Sequence, residues 1–229
     1  MTEREVAVVV GVGAGLGAAL VRRFAQAGMA VAAVARSPAS LAPLAEETGA
    51  RTYGCDATIE AQVEALFAKI ADELGPPALV VHNPSLFVMK PILDLEAADV
   101  IGAWRVACLG GFLVGRAAAR SMVERGQGTI LFTGSTPSVK AMAEFSAFAA
   151  AKSGVRALAQ SMARELGAKG VHVAHILVDG PIDGPGNEAV PAERKIKPAD
   201  IAETFLQIHL QPRSAWTQEI DLRPAAAKF

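Results

Sequence analysis

Directly after the apolar run Glu5–Val10 the chain reads Gly11-Val12-Gly13-Ala14-Gly15-Leu16-Gly17. Backbone without Cβ atoms can turn sharply and approach a ligand closely. A helix opening at the end of such a turn aims free N–H groups and the positive end of its dipole at an anion. The chemistry this suits is cradling the pyrophosphate of a dinucleotide. Two registers match: Gly13, Gly15 and Ala18 give G-x-G-x-x-A, and Gly11, Gly15 and Gly17 give G-x-x-x-G-x-G. A dinucleotide site that prefers NAD has an acid about twenty residues further on, accepting from the ribose 2′-hydroxyl. Here the second apolar run ends Val34-Ala35-Arg36-Ser37, with no acid. A guanidinium suits a 2′-phosphate, so NADP(H) is expected ahead of NAD(H).

The elements that must position this loop alternate. Apolar, β-branched runs lie at Glu5–Val10, Met29–Ala35, Arg51–Gly54, Ala78–His82, Gly128–Phe132, Val171–Val178 and Trp216–Leu222. Helix-like segments separate them at Gly15–Ala27, Ser40–Thr48, Ile59–Leu74, Ala97–Arg125, Phe145–Leu166 and Ala199–Leu210. Continuous apolar strands between helices predict an α/β fold, a doubly wound parallel sheet of seven strands with helices on both faces. Gly75-Pro76-Pro77 and Gly126-Gln127-Gly128 punctuate the pattern. One Gly- and Pro-rich connection, Asp179–Lys197, is long enough to be a substrate loop, or else a floppy surface loop.

With 229 residues, 52% apolar, the chain suits a single domain over residues 1–229 with a full core. The 46 alanines and 21 glycines predict closely packed helices. A net charge of −1 gives no basic excess for nucleic acid or a membrane surface. Cys55 and Cys108 are too few for a disulfide framework or a zinc site, and no metal is expected. They fit a reducing, cytoplasmic setting. The charged start Met1–Glu5 is followed by no cleavage-like site, and the apolar run Val6–Val21 is too short and too glycine-rich to span a bilayer, so a soluble protein is expected. His172 and His175, three apart on one strand, should face opposite sides and share no metal. His82, at a strand end, can line the pocket or pack, with packing the expected role, and His209 is expected to be structural.

These residues resemble the short-chain dehydrogenase/reductase family over nearly the whole chain. The second glycine register is that family's, with Val10 where threonine is usual. Cys55-Asp56-Ala57 resembles the acidic turn that meets the adenine. His82-Asn83-Pro84-Ser85 is similar to Asn-Asn-Ala-Gly, keeping only Asn83. Gly111-Phe112 resembles the glycine–aromatic pair of the long dimer-forming helix, and Asp179-Gly180-Pro181-Ile182 the Pro-Gly segment beside the nicotinamide, with Asp179 for proline. The resemblance implies a cofactor site built from Gly11, Gly13, Ala14, Gly15, Leu16, Gly17, Arg36, Ser37, Asp56, Ala57, Asn83, Lys152, Gly180, Pro181 and Ile182. The family's catalytic set is Asn, Ser, Tyr and Lys. Ser135 and Lys152 match the serine and lysine, Phe148 stands at the tyrosine position, and Ala107 at the asparagine position.

Phenylalanine donates no proton, and losing a general acid costs about 10²–10⁴ in rate. Three readings follow. The first is an NADP(H)-dependent oxidoreductase using another acid: Ser135 with water, Lys152 directly or through water let in by the missing phenol, Asp179, Glu144 or Ser146. Asp179 can instead cap a turn, Glu144 be solvated, and Ser146 cap its helix. The second is an NADP(H)-binding sensor or partner subunit, and the third a scaffold for assembly. An imine or activated enone, which needs little protonation help, would tolerate Phe148. Phe87, Met89, Phe145 and Phe148 predict an apolar wall for a small-molecule substrate. Trp104 and Trp216 are expected at subunit contacts of a homodimer or homotetramer.

Overall fold

The computed structural model describes residues 4–226. Seven parallel strands form one sheet in the order β3-β2-β1-β4-β5-β6-β7. They are β1 Val6–Val10, β2 Ala30–Ala35, β3 Arg51–Gly54, β4 Pro77–His82, β5 Gly128–Thr133, β6 Val171–Val178 and β7 Glu219–Leu222. The expected sheet is therefore present, with β7 starting at Glu219 rather than Trp216, whose ring stacks on His172 while the next residue, Thr217, gives its N–H to Gln211. All of β1 and β6 is buried, which is what strands covered on both faces require.

The helices are α1 Leu16–Gln26, α2 Ala42–Thr48, α3 Glu60–Glu73, α4 Ala97–Trp104, α5 Gly110–Arg125, α6 Ser146–Leu166 and α7 Pro198–His209. Leu20, Phe24, Ile201 and Phe205 of α1 and α7 close one face of the sheet. Val63, Ile70, Val114, Met122 and Val155 of α3, α5 and α6 close the other. Strand alternation sends His82, Phe132 and His175, cross-strand neighbours in register, to this second face. His172 points to the opposite side from His175, as expected. It stacks on Trp216 with ring centroids 4.7 Å apart, so the tryptophan packs within the chain.

The long helix expected over Ala97–Arg125 is interrupted by a π-helical turn, Arg105–Leu109. Together the stretch, unlike Val6–Val21, is long and apolar enough to cross a membrane by length and composition alone. Its inner side packs on β4, β5 and α6. The connection Asp179–Lys197 is folded rather than floppy. A parallel bridge joins Ile182 to Ile196, Lys195 pairs with Asp183 at 2.6 Å, and Asn187 donates to the Ile182 carbonyl.

Candidate active site

The strand order reverses between β1 and β4, and an open parallel sheet of this kind binds ligands in the crevice at the carboxyl ends of such strands. The glycine loop leaves β1 at this point, and Asn83 leaves β4. The Asn83 side chain donates to the Gly11 carbonyl at 3.0 Å, tying the two ends. The glycines divide by role. Gly11 has φ +87° and presses on Pro84, and a Cβ on Gly17 would lie 2.7 Å from Cα of Val12, so these two serve the packing of strand against helix. A Cβ on Gly13 or Gly15 would meet nothing within 4 Å. No side chain caps α1. An open, uncapped helix N-terminus beside two Cβ-less residues fits a pyrophosphate.

Arg36 is exposed at the end of β2 and binds no carboxylate among the described residues, leaving its guanidinium available. Asp56 follows β3. Its carboxyl is held below the usual range, first by the Thr58 N–H it accepts at 2.9 Å, with Arg36 and Arg105 adding positive potential. Ala57 is buried beside it, its carbonyl 3.3 Å from where a Cβ on Gly110 would stand. Gly180, with φ +158°, and Pro181-Ile182 follow β6, the Pro181 carbonyl accepting from Ile196 N–H.

Ser135 lies two residues beyond β5 and caps a 3₁₀ turn, Thr136–Ser138. Its N–H donates to Ser138 Oγ at 3.1 Å, while its own hydroxyl is buried without a partner. Such an orphaned hydroxyl is costly unless a ligand satisfies it. Ser153, next to Lys152 on α6, donates to the carbonyls of Pro137 and Ser138, joining the two elements. Lys152 is 3% exposed, and its ammonium donates to the Thr133 carbonyl at 2.9 Å. Burial pulls its pKa from 10.5 down to about 8.

Phe148, one turn before Lys152, does not leave an open water path to the ammonium, contrary to expectation. Its ring is 8% exposed, with the lysine Nζ 5.9 Å from the centroid. Phe148, Phe87 and Phe145 form an edge-to-face cluster, with centroids 5.3 Å apart for Phe87–Phe148 and 5.6 Å for Phe87–Phe145. Phe87 and Met89 remain exposed on its rim.

The alternative acids fare differently. Asp179 accepts from the Thr136 hydroxyl and pairs with Arg223 at 3.2 Å, so both carboxylate oxygens are engaged. Glu144 is exposed, with φ 68°. Ser146 does not cap α6; the capping position is Phe145 and no side chain fills it.

Two groups of the site, Thr136 and the Thr133 carbonyl, carry no sequence signal, and a third, His82, makes a contact that its pattern does not specify. Thr136 holds Asp179, and Thr133 holds the lysine through a carbonyl, which no side-chain pattern reports. His82 reaches the carbonyl of Ala107, at the asparagine position, with Nε2 3.0 Å away. Its hint was the departure at both places. Ala107 is buried inside the π turn. Cys55 and Cys108 are both free, and among the described residues no group of His, Cys, Asp and Glu is clustered as for a metal.

A family model described as short chain dehydrogenase matches residues 5–194. A short-chain dehydrogenase/reductase of Armillaria gallica is 33% identical over 193 residues, 81% of this chain and 74% of that protein. A solved short-chain dehydrogenase from Rhodopseudomonas palustris superposes with TM-score 0.84 at 39% identity, covering 96% of this chain and 98% of that one. A metagenomic short-chain oxidoreductase solved in complex with NADP gives TM-score 0.85 at 25% identity, covering 96% and 97%. The match over most of the length and the sheet order agree: the chain belongs to the short-chain dehydrogenase family.

Proposed function

We propose that this chain is an NADP(H)-dependent oxidoreductase acting on a small carbonyl, imine or enone compound with part of the family's proton-handling set missing. The observation that carries the reading is the open cradle at Gly13 and Gly15 beneath an uncapped α1, at the same sheet end as buried Lys152 and orphaned Ser135. Relatives named as dehydrogenases and a relative solved with NADP support it.

When bound, the nicotinamide supplies or accepts the hydride. The loop Gly11–Gly17, shaped by Gly11 and Gly17 and open at Gly13 and Gly15, would hold the pyrophosphate, Arg36 and Ser37 the 2′-phosphate, Asp56 and Ala57 the adenine side, and Asn83, Lys152 and Gly180-Pro181-Ile182 the nicotinamide side. The Ser135 hydroxyl orients the substrate's polar atom. Lys152 and the Ser135 hydroxyl are then the proton-bearing groups of the family's set left to serve that atom, because Phe148 has none and Asp179 is engaged twice over. With a pKa near 8 Lys152 is mostly protonated at neutral pH and gives up its proton more readily than a free lysine. The phenylalanine cluster favours an apolar substrate portion, and an imine or enone would ask least of the missing phenol.

A second reading, a cofactor-binding sensor or partner subunit, draws on the seclusion of Lys152 under Phe148. The whole chain acts as one domain in either case, with 179–197 as its substrate loop. Ile101, Trp104 and Phe112, exposed on the outer side of Ala97–Arg125, give a homodimer or homotetramer its contact, in a cytoplasmic protein.

Fluorescence titration with NADPH and NADH, followed by turnover on ketones, imines and enones, tests this. Selective NADPH binding with turnover of any of these classes supports the oxidoreductase. NADPH binding without turnover selects the sensor reading. Binding of neither cofactor removes both.

A further inference from the structure

His82 and Ala107, which both depart from the family's asparagines, touch each other. Ala107 lies inside the π turn Arg105–Leu109. Such a turn interrupts the regular helical ladder, and within the helix the Ala107 carbonyl takes the Gly110 N–H. Here Nε2 of His82 lies 3.0 Å from the Ala107 carbonyl. The ring is closely packed at its Cε1 and Cδ2 edges. A Cβ on Gly110 would stand 3.3 Å from its Cε1, and a Cβ on Gly111 3.3 Å from its Cδ2. Phe132 tilts against it with centroids 6.2 Å apart. The next residue of the π turn, Cys108, packs on α6 at Gly154, where a Cβ would lie 2.9 Å from Sγ. Gly154 is two residues from Lys152.

We propose that His82 is a positioning residue for Lys152: it holds the π turn through the Ala107 carbonyl and so sets where Cys108 meets α6 beside the lysine. A carbonyl can only accept, so the bond requires a hydrogen on Nε2 and leaves the lone pair on Nδ1. Nδ1 is buried without a partner. Burial first, then the charge of Lys152, keeps the ring neutral, its pKa lowered to about 3. The consequence for turnover rests on the oxidoreductase reading above; the tautomer and the π turn do not.

The test uses the full chain without ligand. Nitrogen shifts of labelled histidine, assigned with His82→Gln, should show His82 neutral, protonated on Nε2, and not titrating between pH 5 and 9. Titration near 6.5, or the Nδ1–H tautomer, overturns the proposal whether or not the protein is active. In His82→Leu, which keeps the volume and loses the donor, amide exchange across residues 105–110 should quicken about tenfold, the equivalent of one hydrogen bond of roughly 1.4 kcal/mol. His82→Gln, which keeps a donor, should restore most of the protection. If turnover is found, His82→Leu lowers kcat at least tenfold while the Kd for NADPH shifts less than threefold, and His82→Gln recovers it. Unchanged exchange in His82→Leu, or a kcat loss that His82→Gln does not relieve, refutes the idea. Should His82→Leu not fold, the wild-type shifts and the His82→Gln exchange decide.

Discussion

Replacing Phe148 by tyrosine places a hydroxyl one helical turn before Lys152, whose Nζ lies 5.9 Å from the centre of the present ring. At that distance and an effective dielectric of about 20, the ammonium favours a phenolate by roughly 3 kcal/mol, about two decades in acidity. The new phenol would therefore be a competent acid near neutral pH. If protonation limits ketone reduction in the wild type, Phe148→Tyr should raise kcat/KM for ketones by about 10²–10⁴, or roughly 3–6 kcal/mol of barrier. The cost is the hydroxyl itself, placed where the ring is 8% exposed and flanked by Phe87 and Phe145. Without a partner it should destabilise the fold by about 1–2 kcal/mol. The assay is kcat/KM with NADPH across pH 6–9 for matched ketone and imine pairs, with melting and NADPH binding as controls. The gain should be large for ketones and small for imines. A folded, NADPH-binding Phe148→Tyr protein with unchanged ketone turnover would refute the argument that the missing phenol sets the chemistry.

Arg36→Asp should weaken NADPH about 10–100-fold in a fluorescence titration and leave NADH no weaker, since a charge-assisted contact of about 1.5–3 kcal/mol is lost. Gly13→Val should abolish binding of either cofactor with the melting temperature within a few degrees of wild type, because a Cβ there meets nothing within 4 Å. Gly17→Ala should instead lower stability by about 1–3 kcal/mol, since its Cβ would meet the Val12 backbone at 2.7 Å. Lys152 titrates near 8 when folded and near 10.5 when unfolded, so between these values the unfolded chain binds more protons. Stability should then rise with pH over that window, by at most about 1.4 kcal/mol per unit. Urea titrations at pH 8, 9 and 10 should show the rise in wild type and not in Lys152→Met.

Much of the fold was legible because parallel strands buried on both faces write themselves as continuous apolar runs. Val171–Val178 is such a run, and its bounds are those of β6. The glycine loop was legible for the same kind of reason, since its position after the first strand places it at the strand-order reversal. The two overlapping registers could not be told apart by spacing. Packing separates them, with Gly11 and Gly17 pressed by neighbours and Gly13 and Gly15 open. The π turn was not legible, because Arg105–Leu109 has ordinary helix formers and the irregularity is held from outside by His82 on β4. Nor was the seclusion of Lys152, which depends on a backbone carbonyl of β5 and on rings from distant segments.

The bridge between Ile182 and Ile196 has a consequence for how this protein can be altered. It clamps the two ends of the segment 183–195 against each other, so what lies between is a closed span anchored at a fixed base. The entropy of closing such a span grows only with the logarithm of its length, and doubling it costs about 0.6 kcal/mol. Insertions between Asp183 and Lys195 should therefore leave the sheet beneath undisturbed. The segment is a natural graft point, where a longer loop or a new recognition sequence can be installed without rebuilding the sheet.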